Sequence, residues 1–220
     1  MPEILVQYQA EIIKAIGETF VMVGVSILAA VLIGLPVGTF LFLCRRGQLL
    51  ENQFSFQLLN LIVNTIRSFP FLLLVVFLIP FTRIIIGTAI GTAAATVPLA
   101  IIAIAHYSRL VEQSLLDVPK GVMEAAISMG ASVKQVIFKF LYVEARSGLV
   151  LGLTTSIISF ISYSTIMGVV GGGGIGDFAI RYGYQQFKTD LMMYMIIIMV
   201  ILVQLIQFIG TTVSRIIDKR

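Results

Sequence analysis

Few groups in this 220-residue sequence could perform chemistry, and their spacing decides which. Gly171-Gly172-Gly173-Gly174-Ile175-Gly176 satisfies G-x-G-x-x-G, a pattern that cradles phosphate where a strand turns into a helix. Neither the strand before it nor the ribose-binding acid after it is present, and no G-x-x-x-x-G-K-[ST] occurs, so nucleotide would have to bind another chain. One cysteine, Cys44, and one histidine, His106, offer neither a disulfide nor a metal cluster, and no nucleophile with its base stands out. No catalytic and no metal residues are expected, and no cofactor in this chain. What remains are recognition groups. Thr155, Ser159 and Ser162 recur at i, i+4 and i+7, a helical stripe of hydroxyls that Tyr163, Ser164 and Thr165 would extend. Such hydroxyls either pack helices together or line a narrow polar path. Arg67 stands alone in an apolar stretch, and either reaches for the nearer headgroups or places a fixed charge at a pore or at a seam between copies. Glu124-Ala125-Ala126-Ile127-Ser128-Met129-Gly130 sets a carboxylate and two small residues ahead of a glycine, in the longest basic, polar interval of the chain.

The elements that position these groups are set by lipid. Hydrophobic residues make up 58% of the chain and charged residues 12%, against about 25% charged in a soluble domain. The mean hydropathy is +1.02. A membrane-crossing helix needs about 20 apolar residues. Spans are expected over about 19–44, 54–81, 84–108, 147–172 and 191–214, all within a single domain, 1–220, and the second of them contains Arg67. The fold class is an all-α integral membrane protein. Residues 1–18 carry Glu3, Glu11 and Glu18 against Lys14, unlike the positive start of a cleavable leader, so the first helix is expected to be kept. Five spans put the termini on opposite sides. With the N-terminus outside, the inner side collects Arg45, Arg46, Arg109, Lys120, Lys134, Lys139, Arg146, Arg215, Lys219 and Arg220, while the outer side keeps Lys14, Arg83, Arg181 and Lys188. Cytoplasmic loops carry the excess of Lys and Arg, so the N-terminus is expected outside, the C-terminus inside and the interval 109–146 in the cytoplasm.

Within that interval Asp117 is an expected N-cap ahead of Pro119, opening a helix over about 118–129 that Gly130 closes. Ser132-Val133-Lys134-Gln135 reads as a capping box for a second helix. Two helices joined at a glycine make a stiff elbow, able to transmit a push that a floppy loop would absorb. On the bland alternative, Ala125, Ala126 and Gly130 are simply small residues of an amphipathic surface helix.

The Glu124 to Gly130 segment resembles the E-A-A-x-x-x-G coupling motif of ABC-importer permeases. The similarity to the methionine-type, five-helix members extends along nearly the whole chain. Ile33-Gly34-Leu35-Pro36-Val37-Gly38, Asn64-Thr65-Ile66-Arg67-Ser68-Phe69-Pro70-Phe71, Val97-Pro98-Leu99, Arg109-Leu110-Val111-Glu112, Tyr163-Ser164, Tyr182-Gly183-Tyr184 and Leu205-Ile206-Gln207-Phe208 carry it in order. Two departures stand out. Val143 precedes Glu144-Ala145 where the family has proline, and Ala105-His106-Tyr107 replaces a proline and an aromatic near the inner end of the third span. The resemblance implies a type I ABC-importer permease fold with a cytoplasmic coupling helix. It also implies a bacterial inner-membrane location and a pore of two copies resting on two cytoplasmic ATPases, which hold ATP and Mg. An external substrate-binding lipoprotein would deliver methionine, D- or L-. It assigns ATPase coupling to Glu124, Ala125, Ala126, Met129 and Gly130, and the substrate path to Asn64, Arg67, Ser68, Thr155, Ser159, Ser162, Tyr163 and Ser164. Asp177, Arg181 and Lys188, otherwise ordinary solvated loop charges, become candidates for the binding-protein contact, beside a glycine run read as a flexible outer turn. The partners expected are therefore these proteins and membrane lipid, and no nucleic acid. The alternatives are a permease for another amino acid or small solute, and an ion-coupled secondary transporter; the five apolar runs contain no Asp or Glu to carry protons.

Overall fold

Helix α1 runs unbroken from Gln9 to Cys44, 36 residues, or about 54 Å at 1.5 Å per residue. It begins ten residues ahead of the expected 19–44 span, because a helix does not stop where its apolar run does. The computed structural model describes residues 6–218, so Glu3, Lys219 and Arg220 lie outside the described residues. Pro36 does not break α1. A widened π-helical stretch at Ala30–Gly34 precedes it and relieves the clash a proline ring makes with the preceding turn. At that point α1 crosses a later helix almost backbone to backbone. A methyl at Gly38 would stand 2.3 Å from the carbonyl oxygen of Ser108, and one at Gly34 2.9 Å from that of Ile104.

The second expected span, 54–81, is not one helix. Helix α2 (Gln53–Ser68), capped by the Asn52 side chain, ends at Phe69. Helix α3 (Phe71–Phe77) leaves at 105° to it. Pro70 drives Phe69 into the extended region, with ψ at 133°, and the helix cannot continue. A short α4 (Ile79–Ile86) follows, closed by Gly87 at φ 83°. The third span is displaced as well. Residues 84–86 belong to α4, and α5 occupies Thr92–Leu116. His106 accordingly lies in mid-helix rather than at an inner end. Among the described residues four helices are long and apolar enough to cross a membrane, or five where the bent α2–α3 pair is counted as one span.

The interval 109–146 shrinks in the same way. Helix α5 enters it as far as Leu116, α6 takes Lys120–Ser128, and α7 runs from Val133 to Val169. No break occurs at Val143; a π-helical stretch at Val136–Leu141 passes directly into the helix from Tyr142. A short α8 (residues 174–184) and the long α9 (Thr189–Ile217) complete the described chain. The core is built on α5 and α7, where Leu99, Ala103, Val111, Leu115 and Phe160 are fully buried together with Met22 of α1. By contrast, α9 buries only Leu191, Met195, Gly210 and Ser214, which leaves its apolar sides for lipid or a partner.

Candidate functional site

The elbow at Gly130 is a fixed structure. Gly130 adopts φ 75°, its N–H donates to the Ile127 carbonyl at 2.9 Å, and the Ala131 N–H donates to that of Ala126 at 3.1 Å. These two bonds form a Schellman motif, which satisfies carbonyls that the end of α6 would leave open. The next helix starts immediately, with both bonds of the Ser132–Gln135 capping box in place. The expected N-cap is corrected. Asp117 ends α5, while Pro119, at ψ 132°, sits in extended geometry at the N-cap of α6 with no side-chain cap. Within the motif, Ala126 and neighbouring Met123 are buried against the α5–α7 stem. Glu124, Ala125 and Gly130 face outward with Ile127, 49% exposed, and Met129, 68% exposed. The motif therefore divides into a packed side and an uncovered, partly apolar side.

Just above the elbow lies a charge cluster that the uncharged-run definition of a span leaves out. Glu112, on α5 and 1% exposed, pairs with Arg109 one turn back and with Arg45 at 3.5 Å. Arg109 donates to Asn60 Oδ1 and Asn64 Oδ1 of α2, each at 2.6 Å, and Asn64 donates to Asn60 at 3.2 Å. Asn64 is thus engaged in holding Arg109, and Ser68 donates to the Asn64 carbonyl at 2.8 Å. Glu112 lies beyond the expected 84–108 span, and it is buried because α5 continues past that span to Leu116. Arg67 stands exposed two residues before the α2 break, within electrostatic reach of His106, Arg109 and Tyr163. The sequence signal for the cluster is the i, i+3 pair Arg109 and Glu112, directly beyond an uncharged run.

The hydroxyl stripe holds in part. Thr155 and Ser162 are exposed and Ser159 half-buried, and each donates to the carbonyl four residues back, at 2.9, 3.4 and 3.0 Å. Their oxygens remain free to accept. Tyr163 and Ser164 leave the stripe: Tyr163 stacks on Phe71 at 4.6 Å, and Ser164 is buried and donates to the Ile161 carbonyl. Helix α9 lies antiparallel to α7, fixed by Ser147 Oγ and Ser214 Oγ at 2.8 Å and by Gly210 against Thr154. On one side of this pair α1 covers an apolar cavity of about 280 Å³, lined by Phe20, Val23, Ile157, Leu202 and Ile206. On the other an open groove of about 430 Å³ is lined by Ser162, Thr165, Met199 and Gln204. Gln204 is a path candidate the sequence reading missed, an exposed amide midway along α9.

At the other end of the helices the glycine run is not a flexible turn. Glu18 Oε2 accepts the Gly174 N–H at 2.8 Å and Thr19 Oγ1 accepts the Ile175 N–H at 2.9 Å, so α1 caps α8. The Gly171 carbonyl accepts from the Gly91 N–H at 2.9 Å. Gly173 and Gly174 hold φ of 79° and 90°, which L side chains resist. Asp177 and Arg181 pair with each other, and Lys188 reaches the Tyr8 hydroxyl and lies 4.7 Å over its ring. All three binding-protein candidates are thus at one end of the molecule with internal partners. The run sits between two helices, with no strand before it, so phosphate-cradling geometry is absent there.

Comparisons with known proteins agree with this geometry. The family described as binding-protein-dependent transport system inner membrane component matches residues 30–220. The chain is 42% identical over 209 residues to a probable D-methionine transport system permease protein of Vibrio cholerae, covering 95% of this chain and 93% of that protein. It is 41% identical over 180 residues to a methionine import system permease protein of Bacillus subtilis, with 82% and 81% covered. A solved chain of the MetNI methionine ABC transporter in an inward-facing conformation superposes with a TM-score of 0.94 at 40% identity, over 97% of this chain and 99% of that one.

Proposed function

Because this chain belongs to the family of binding-protein-dependent transport system inner membrane components, we propose that two copies of it form the pore of an ATP-driven methionine importer. The observation that carries the proposal is the elbow at Ala126–Gly130, a turn fixed by backbone hydrogen bonds whose outer side is exposed and partly apolar. Two cytoplasmic ATPases, which bind ATP and Mg, would grip Glu124, Ala125, Ile127 and Met129. Their closure would swing α6, and through its buried Met123 and Ala126 the stem of α5 and α7, so that the pore opens outward to receive substrate. Hydrolysis would return it to face inward. An external lipoprotein would deliver the amino acid at the α8 end, near Asp177, Arg181 and Lys188. On this reading the N-terminus lies outside and the elbow in the cytoplasm, which the lysine and arginine distribution supports. The chain itself catalyses nothing, and the names of its relatives support methionine as the cargo.

An amino acid crossing apolar helices needs partners for its ammonium and carboxylate. Ser162, Thr165 and Gln204 offer acceptors and a donor beside Met199, whose thioether suits a methionine side chain, while the opposite side of the same helix pair is apolar. Against a proton-coupled transporter, the expected spans hold no Asp or Glu, and Glu112, beyond the third of them, is ion-paired with Arg109 and Arg45.

Labelled methionine should accumulate in liposomes holding the chain, its ATPase and its binding protein only when ATP is supplied. Uptake without ATP, or none, overturns the proposal. Ser162→Ala combined with Gln204→Leu should slow that uptake about tenfold, the loss of roughly two hydrogen bonds, with ATP hydrolysis unchanged. Wild-type uptake by the double variant would remove this groove from the path.

A further inference from the structure

Glu112 is a carboxylate to which the transport cycle assigns no task. Its surroundings do not suit a carrier, because both flanking guanidiniums hold it and it is 1% exposed. They suit a fastener. Arg45, which it grips, opens the inner loop after α1, and Arg46 and Leu49 of that loop share a cleft of about 410 Å³ with Lys120 and Glu124 of α6. Arg109, its other partner, is 16% exposed and bonds both Asn60 and Asn64, so α2 is tied to the same point. Along its own chain Glu112 is followed by Leu115 and Val118, which are buried in one core with Met123 and Ala126 of α6. Three parts of the molecule meet at this side chain, the ends of α1 and α5 directly and α2 through Arg109, while α6 joins α5 through the apolar core.

Apolar contacts alone would let these parts slide, since they carry no directional preference. The bonds from Arg109 to Glu112, Asn60 and Asn64 fix direction as well as distance, and Arg45 adds an ion pair at 3.5 Å to a Glu112 oxygen that accepts no hydrogen bond. We propose that Glu112 is a positioning residue that locks the ends of α1 and α2 to α5, so that the helix sharing its core with the elbow carries them as one body; this rests on the coupling function proposed above. The lock predicts that α2 and α5 travel as one body through the nucleotide cycle.

The experiment uses the full assembly with its ATPase and binding protein, one copy of the chain carrying spin labels at the exposed positions Gln57→Cys on α2 and Gln113→Cys on α5. In the wild-type background the label separation should stay narrow and unchanged on adding ATP. With Glu112→Gln it should broaden, and methionine moved per ATP hydrolysed should fall about tenfold, the upper range for a residue on a coupling network. The hydrolysis rate itself should stay within about twofold, which a merely unfolded variant would not allow. If Glu112→Gln does not assemble, Arg45→Gln gives the same readings in smaller measure, because Arg45 is 46% exposed, and Arg45→Lys restores them. A wild-type separation that shifts with nucleotide overturns the lock, as does an assembled Glu112→Gln or Arg45→Gln protein with the wild-type distribution. The label distance involves no substrate, so absent methionine uptake by the wild type would overturn the cargo assignment and leave the lock standing.

Discussion

Gly130→Val should reduce ATP-driven uptake by about tenfold or more, because a β-branched residue held in the left-handed region costs of order 1–2 kcal/mol and the elbow has an easier way out. Gly130 sits at φ 75°, and the two bonds at 2.9 and 3.1 Å that close α6 depend on that angle. Helix α6 has nine residues and buries only Met123 and Ala126, so little else fixes its direction. Once the turn relaxes, Ile127 and Met129 no longer present the same surface. Gly130→Asn is the control, since asparagine tolerates this geometry, and it should retain uptake within about twofold. Uptake in proteoliposomes and co-purification of the ATPase measure both. A Gly130→Val protein as active as the wild type would remove the elbow from the mechanism.

Gly168→Leu should have the larger effect on stability. A β-carbon at Gly168 would stand 2.3 Å from the backbone nitrogen of Asp177 and 2.8 Å from its Cα, and one at Gly176 would stand 2.4 Å from Thr165 Cα. The two glycines face each other across one crossing, where α7 and α8 pack backbone to backbone as small residues permit in membranes. Neither neighbour is a flexible side chain that could turn aside. The crossing would have to open, at roughly 3 kcal/mol, the upper range for overpacking. Opening it also disturbs the Glu18 and Thr19 bonds to Gly174 and Ile175. The purified variant in detergent should unfold at a clearly lower temperature than the wild type, whereas Gly24→Ala, with nothing within 4 Å of the added methyl, should not. Equal unfolding temperatures for Gly168→Leu and wild type would refute the crossing.

The helices themselves were legible in the sequence because apolar runs of lipid length leave few alternatives, so α1, α7 and α9 fall where their runs do. Their ends were not. An uncharged run marks where lipid is, while a helix continues until proline, glycine or a cap stops it. That is why α1 starts at Gln9, α5 ends at Leu116 and α7 starts at Val133. Pro70 signalled a kink, but its 105° size depends on what α3 packs against, which no local pattern encodes. Ser132 and Gln135 announced their capping box correctly, since both partners lie within one turn. Asp117 failed as a cap because Pro119 prefers an extended entry to α6. The groups joined over long separations were out of reach: Glu18 with Gly174, and Arg45 and Asn60 with the Arg109–Glu112 pair. Each of these residues reads locally as an ordinary helix-end charge or amide.

The 105° break after α2 has a consequence for how much of the protein a cell can hold. Pro70 has no N–H, and the turn carries the following amides away from the last carbonyls of α2. Hydrocarbon offers those carbonyls nothing, so the corner is tolerable only against protein or water. An orphan subunit afloat in lipid would leave it bare and be an early target for membrane proteolysis. Stoichiometry with the other components would then be enforced after synthesis, by survival of the copies that find each other.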